Sequence, residues 1–392
     1  MGQGPGRLRR HGAWRLPEPR SLLAQALIAA SIVAVLWFLV GNTLENLRNR
    51  GVTTGFTFLW HVTSLPIADT WLNYKAGTST YGRAILIGFL NTLTVSFVVI
   101  ALSSVLGTLV GIARLSPNWL LSRACGVYVE ALRNVPVLLQ LLFWYQLLLQ
   151  LPGPRQASQI IGGVFISNRG IRFPALQSDP THLWVLFAVV IGTAAAILLL
   201  RKGSLGASRD EHPGSFRLAA ALLVVAPPLL VAWLSNASLV FDRPQLTGFD
   251  FHGGGSVSPE LSALVIGLTA YSATFIAEIV RAGITGVPKG QWEAASALGL
   301  RKAVTLRKIV LPQALRIIVP PLGSEYLGIV KNSSLAIAVG YPDLVAVITT
   351  MQSDTGQAVE GVLIVMVAYL VISLAVSLLM NWYNRRVVLV TR

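Results

Sequence analysis

Long apolar runs are the feature that most constrains this chain. A bilayer span needs roughly 20 predominantly apolar residues, about 17–25. Leu22–Gly41 qualifies, and Ala84–Ala113 is longer still. Val135–Leu151 is short, but its helix can begin near Trp119; Leu183–Leu200, Leu218–Leu234, Leu261–Val280 and Gly361–Met380 complete the clean set. Ala314–Val339 is less apolar and carries Arg316, Pro320, Pro321, Glu325 and Lys331. It reads as a broken span, because polar or irregular backbone survives in a membrane only where protein or water covers it. The expectation is an all-α polytopic membrane protein with about eight transmembrane helices.

Composition agrees. Only 12% of the 392 residues are charged, about half the share of a typical soluble domain. The formal charge of +15 would suit nucleic acid, but the positive charges fall between the apolar runs, which favours loop retention over a nucleic-acid partner. With both termini in the cytoplasm, 21 Lys and Arg lie in inner segments and eight in outer ones, the asymmetry that orients membrane proteins. The first apolar run exceeds a signal-peptide core of about 7–15 residues, and no small-x-small site follows Gly41. It reads as an uncleaved anchor. Arg201–Arg217, with Gly203, Gly206, Pro213 and Gly214, reads as a flexible cytoplasmic loop.

Several chemistries are excluded. Cys125 is the single cysteine, so neither an intramolecular disulfide nor a thiolate zinc cluster is available. His11, His61, His182, His212 and His252 share no metal spacing. The ten tryptophans lie mostly near span ends, as an interfacial belt does. No G-x-x-x-x-G-K-[ST] phosphate loop is present, so this chain supplies no ATP site. Gly107 and Gly111 form a G-x-x-x-G consistent with close helix packing.

The most informative segment is the cytoplasmic loop 282–312, AGITGVPKGQWEAASALGLRKAVTLRKIVLP. Trp292–Leu298 favours helix, and Ala294, Ala295 and Ala297 let another surface approach closely. Gly299 supplies a stop. A second helix from about Ala303 is expected to end before Pro312, which suits the first turn of the next helix. Two rigid pieces suggest a docking element.

Glu293, Ala294 and Ala295, then Gly299, Ile309, Leu311 and Pro312, stand at the spacing E-A-A, three residues, G, nine residues, I, one residue, L-P. This resembles the EAA signature of ABC importer permeases. The flanks YSATFIAEIVRAG, QALRIIVPPLG and KNSSL, with NTLT and RNVPVLLQLLFWY earlier, resemble the polar amino-acid permease family over roughly 88–151 and 261–386. The chain departs from the compact five-span form by an extra first span with a long outer segment, within 1–83, and by the 108-residue insertion 152–259 carrying two more spans. That layout is closest to the Q-type permease of general L-amino-acid importers. The core would then be 84–151 and 260–392, in five spans.

The resemblance implies a bacterial inner-membrane, multi-pass subunit. It would pair with a second homologous permease, two ATPase subunits that bind ATP and Mg, and a periplasmic amino-acid-binding protein, with no cofactor of its own. An ion-coupled secondary amino-acid transporter is the alternative; it should lack the EAA loop and show inverted repeats.

Ionisable residues in spans are functional candidates, because each costs about 2.5–3.5 kcal/mol to insert. An amino-acid zwitterion needs a cationic fork for its carboxylate and an acidic or carbonyl acceptor for its ammonium. Arg281 and Glu325 fit those roles, with Asn332, Ser333 and Ser334 adding neutral hydrogen bonds. Glu278 and Arg281 are three apart and can instead pair internally. Lys331 is expected to pair with Glu325, and Glu130 with Arg133.

Overall fold

The structure is a computed structural model describing residues 19–49, 55–68, 70, 72–160, 162–176, 181–206, 213–235 and 241–387. The tail before Pro19, with Trp14 and His11, and also Trp71 and His212 lie outside the described residues. The chain is overwhelmingly helical. Among the described residues, four helices are long and apolar enough to cross a membrane, or six counting each of two bent pairs as one span. Two further apolar helices, Trp184–Leu200 and Leu218–Leu234, stand where two more spans were expected but are shorter than a span.

Helix α1 (Pro19–Asn49) runs past the expected end at Gly41, and every side chain described on it is exposed. Thr80 caps α2 (Tyr81–Ala113) by accepting from the Arg83 N–H. The expected helix from Trp119 to Leu151 is not continuous. It splits into α3 (Trp119–Asn134) and α4 (Val137–Leu149), bent by 104°. Pro136 causes the break: it lacks an N–H and forces Val135 into extended geometry at φ −98°, ψ 129°.

The centre of the molecule is α7 (Pro259–Thr285). Ser258 caps it, Pro259 opens it and Glu260 lies in its first turn, three start signals in a row. Small residues decide what packs against it. A Cβ on Gly107 would lie 2.6 Å from Ile276 Cβ, and one on Gly111 would lie 2.6 Å from the Ala277 carbonyl. The G-x-x-x-G therefore serves packing inside the chain, of α2 on α7. Leu141 and Trp144 of α4 cover Gly267, and Ile318 covers Gly283.

After the loop, α10 (Leu311–Asn332) carries Pro320 and Pro321 without breaking. The interruption comes later. A 3₁₀ segment, Ser333–Val339, ends at Gly340 with φ +79°, and α11 (Leu344–Thr355) starts under an Asp343 cap, Oδ1 accepting from the Ala346 N–H at 2.8 Å. The bend across this break is 50°. The NTLT stretch of α2 braces it: Asn91 Nδ2 donates to the Pro342 carbonyl at 2.9 Å, and Thr92 Oγ1 accepts from the Leu344 N–H at 3.1 Å. Helix α12 (Ala358–Val387) closes the core against α10 and α11.

The insertion is not purely helical. Strands β1 (Ser158–Gln159), β2 (Phe165–Ser167), β3 (Gly170–Phe173) and β4 (Ala175–Leu176) precede α5 (Thr181–Gly206). Strands β5 (Phe241–Asp242), β6 (Gln245–Thr247), β7 (Asp250–His252) and β8 (Gly255–Val257) follow α6 (Pro213–Leu234). The sheet order β1-β2-β3-β8 joins the two ends of the insertion, and β4 pairs with β5 at the root of the α5–α6 hairpin. These short antiparallel pairs satisfy backbone that no helix uses. Gly192 brings α5 close enough to α6 that a Cβ there would lie 2.2 Å from the Leu223 carbonyl. Only residues 207–212 remain of the expected loop 201–217, and they lie outside the described residues.

Candidate functional site: the coupling loop and the membrane charges

The loop 282–312 folds as two rigid pieces, with different boundaries from those expected. Helix α8 spans Lys289–Ala297, and Leu298 ends it. Gly299 sits at φ +68°, the left-handed region that favours glycine. Its N–H donates to the Ser296 carbonyl at 2.9 Å, and the Leu300 N–H donates to the Ala295 carbonyl at 3.1 Å. These are the two bonds of a Schellman stop.

The second piece does not end before Pro312. Helix α9 (Lys302–Thr305) passes through a π-helical turn, Leu306–Val310, straight into α10. The missing N–H of Pro312 leaves the Lys308 carbonyl without its usual α-helical donor. A wider turn at that place accommodates it.

Burial divides the loop into an inner and an outer face. Ala295 and Val310 are buried, and Val287, Val310, Ala314, Ile318, Ile276 and Val280 form one apolar cluster with Trp292 packed against it. Gln313 Nε2 adds bonds to the Ile309 carbonyl at 3.0 Å and to Gln291 Oε1 at 3.3 Å. Glu293, Ala294, Ala297, Leu298 and Gly299 are exposed, as are Leu311 and Pro312, while Ile309 is half-buried. Ala295 was expected to offer a docking surface; it faces this chain's own core instead. Leu298, 78% exposed, was overlooked because an apolar residue at a helix end reads as ordinary packing.

The membrane charges regroup. Arg281 Nη2 pairs with Glu278 Oε1, Arg281 Nε reaches both carboxylate oxygens at 3.2 Å, and Arg114 Nη1 reaches Glu278 Oε2 at 2.5 Å. One carboxylate therefore holds two guanidinium groups. Spacing gives no sign of Arg114 in this role, since it stands 164 residues from Glu278.

Arg281 does not face Glu325. Arg133 and Tyr271 lie within electrostatic reach of Glu325, without an ion pair between Arg133 and Glu325 among the described residues. Tyr271 lies ten residues before Arg281, about 15 Å along the helix. Arg133 stacks over the Phe275 ring at 4.8 Å, and Phe275 lies 5.0 Å from Tyr271. Glu130 and Arg133 form no ion pair among the described residues. Neither do Lys331 and Glu325: six residues apart, they point about 120° away from each other around α10, and Lys331 is exposed. Ser333 and Ser334 donate to the Val330 and Lys331 carbonyls, each at 2.7 Å. Their protons are thus committed to the end of α10. Asn332 is half-buried. Among the described residues, no group of three or more His, Cys, Asp or Glu is placed to hold a metal.

The fold and the loop define an integral membrane protein with a rigid helical element between two core helices. Residues 214–389 match the family described as binding-protein-dependent transport system inner membrane component. The chain is 46% identical over 381 residues to the putative amino-acid ABC transporter permease protein YhdX of Escherichia coli, covering 96% of each. It is 43% identical over 377 residues to the general L-amino acid transport system permease protein AapQ of Rhizobium johnstonii, covering 96% of this chain and 94% of that one. A solved structure titled as an amino acid ABC transporter with histidines aligns at TM-score 0.47 and 21% identity, over 78% of this chain and 95% of that one.

The chain belongs to the amino-acid ABC transporter permeases. It is a transport subunit and not an enzyme, and the relatives offer no support for an ion-coupled transporter.

Proposed function

We propose that this permease forms, with a second homologous permease, the path by which an importer moves L-amino acids inward across a bacterial inner membrane. Two ATPase subunits carry ATP and Mg on the cytoplasmic side, and a periplasmic binding protein delivers substrate. Both termini are cytoplasmic, the spans number eight, and residues 152–259 are an insertion in a core of 84–151 and 260–392.

One observation carries the coupling role. Helix α8, through Trp292, and the π turn, through Val310, are fastened to α7 and α10 by a single buried cluster, while Glu293, Ala294, Ala297, Leu298 and Gly299 remain exposed. A push on the outer face of α8 must move the ends of two core helices. Glu293, Ala294 and Gly299 belong to the docking side; Ala295, Ile309, Leu311 and Pro312 set the geometry of the return.

For substrate, the Arg133 cation and the Glu325 carboxylate, with the Tyr271 and Phe275 rings beside them, suit the two ends of a zwitterion better than Arg281 does. Arg281 and Glu278 instead work as a pair with Arg114.

The test is substrate-stimulated ATP hydrolysis by the purified complex with saturating binding protein and amino acid. Gly299→Asp should leave the permease assembled yet abolish stimulation, since it puts a side chain at φ +68° and a charge on the docking face. Normal stimulation would end the assignment. Arg133→Ala should lower uptake without loss of assembly.

A further inference from the structure

A basic cavity at the corner between α2 and α3 adjoins the surroundings of Arg133, with Arg114 and Glu130 lining both, and reaches Arg281 at the start of the coupling loop. Arg114 closes α2, a turn through Ser116 and Pro117 follows, and Asn118 Oδ1 caps α3 by accepting from the Leu120 and Leu121 N–H groups at 3.0 and 3.3 Å. Ser122 Oγ donates to the Arg114 carbonyl at 2.8 Å and fixes the turn. This corner lines a cavity of about 570 Å³ together with Arg123, Glu130 and Arg281.

Charge and polarity around the cavity select its ligand. Arg114 and Arg281 share the Glu278 carboxylate, and Arg123 has no ion pair among the described residues. Three guanidinium groups against Glu130 and Glu278 leave one net positive charge. Directly beside them the first turn of α3 exposes Trp119 at 74% and Leu120 at 68%. A tryptophan and a leucine bared next to an arginine pocket fit the boundary between headgroups and acyl chains. Fork-shaped arginine donors fit phosphate oxygens.

We propose that this cavity binds the phosphodiester headgroup of a monoanionic phospholipid, with Arg123 as its principal contact and the acyl chains laid along Trp119 and Leu120. The leaflet is the cytoplasmic one in the orientation proposed above. The headgroup chemistry does not depend on that orientation.

A site of this kind holds its lipid through purification and prefers it over a zwitterionic neighbour. A juxtamembrane Arg is worth about 1 kcal/mol near an anionic surface, or roughly fivefold in occupancy. The test is native mass spectrometry of the whole transporter complex from nanodiscs of phosphatidylcholine with phosphatidylglycerol, for the native chain, Arg123→Ala and Arg243→Ala. Arg243 is an exposed arginine in the outer loop between β5 and β6 and serves as the control.

Retained phosphatidylglycerol should fall about fivefold in Arg123→Ala and stay unchanged in Arg243→Ala. Inorganic phosphate at constant ionic strength should not displace it. Equal retention in both variants, or no preference for phosphatidylglycerol, overturns the proposal. Displacement by inorganic phosphate also overturns it, in favour of a soluble anion. An assembled complex with normal stimulated ATP hydrolysis in Arg123→Ala separates this outcome from any failure of the transport reading.

Discussion

The 31-residue loop 282–312 and the 108-residue insertion 152–259 interrupt the same core, and they do so in opposite ways. The loop sends Val287, Trp292 and Val310 into the packing between α7 and α10. The insertion turns inward on itself: α5 packs on α6 through Gly192, and strands zip its two ends together. On the proposed coupling role, mechanical importance would follow the buried side chains that tie a segment to the core, and not its length. A stiff lever requires such ties, because an element held only by its ends would bend before it moved the helices it joins.

The largest effect should come from the root of the lever. A Cβ on Gly283 would lie 2.2 Å from Ile318 Cγ1 and 3.3 Å from the Ala314 carbonyl. Gly283→Val adds two further methyl groups there and forces α7 and α10 apart. Overpacking of this kind costs about 1–3 kcal/mol or more. The expected outcome is a sharp loss of assembled complex on size-exclusion chromatography; a normal elution profile would show that the α7–α10 contact is not the lever's root.

A smaller, more selective effect is expected at the tip. Leu298 is 78% exposed and buries little in this chain, so Leu298→Ser should leave folding intact. If Leu298 enters an ATPase groove, it contributes about 1.5–3 kcal/mol there, and stimulated ATP hydrolysis should fall about tenfold or more. Assembly with unchanged ATPase coupling would move the docking face elsewhere on α8.

These two positions also show what the sequence made legible. The seven residues of the EAA pattern located the loop, and the Gly299 stop followed from residue type alone. The face of each residue did not follow. Ala294 and Ala295 are adjacent and chemically identical, yet one is exposed and the other is buried, because the rotation of α8 is set by tertiary packing, in which Trp292 lies against the cluster of Val287, Val310 and Ala314.

The continuous helix through Pro312 was hidden for a related reason. Proline signals a helix end unless the preceding turn widens, and a π turn leaves no mark in composition. At the charges, spacing revealed Glu278–Arg281 as a local pair, but Arg114 and Arg133 come from sequence-distant helices. No periodicity links Arg133 to Phe275 or Glu325. The small strands of the insertion were missed because each is at most four residues long, too short for an alternating pattern to register.

The insertion supplies the next test, with a small expected effect. Leu176 and Phe241 are cross-strand partners, so residues 177–240 can be replaced by a two-residue Asn-Gly turn of the kind that joins antiparallel strands. If α5 and α6 are peripheral, this shortened permease should assemble and transport within about twofold of the native chain, the range expected for changes away from packed features. Loss of transport with assembly preserved would place the hairpin on the path or on a partner.

The smallest effect should come from the ion pair that links the β2–β3 turn to strand β7 of the separate β6-β7 sheet. Arg169 Nη1 pairs with Asp250 Oδ2 at 2.6 Å, but their side chains are 54% and 33% exposed. An exposed pair contributes about 0.2–1 kcal/mol. Partial burial would raise the Asp250 carboxyl, but the Phe251 N–H and the Arg169 and Arg172 charges outweigh it, so the group ionises below the ordinary 3.8.

The sign follows from that direction. A depressed carboxyl stabilises the sheet at pH values above 3.8, and the contribution disappears as pH falls below that value toward the folded pKa. Arg169→Ala should therefore raise amide exchange in β3 and β7 about twofold at neutral pH, and the ratio to the native chain should approach one in acid. A tenfold rise would mean that the outer sheet is held by this one pair, and the insertion would then resemble the coupling loop in its dependence on single contacts. A ratio near one at every pH would leave the strand pairing β2-β3-β8 and the Phe165–Phe251 contact, with ring centroids 4.7 Å apart, as what holds the hairpin's root together.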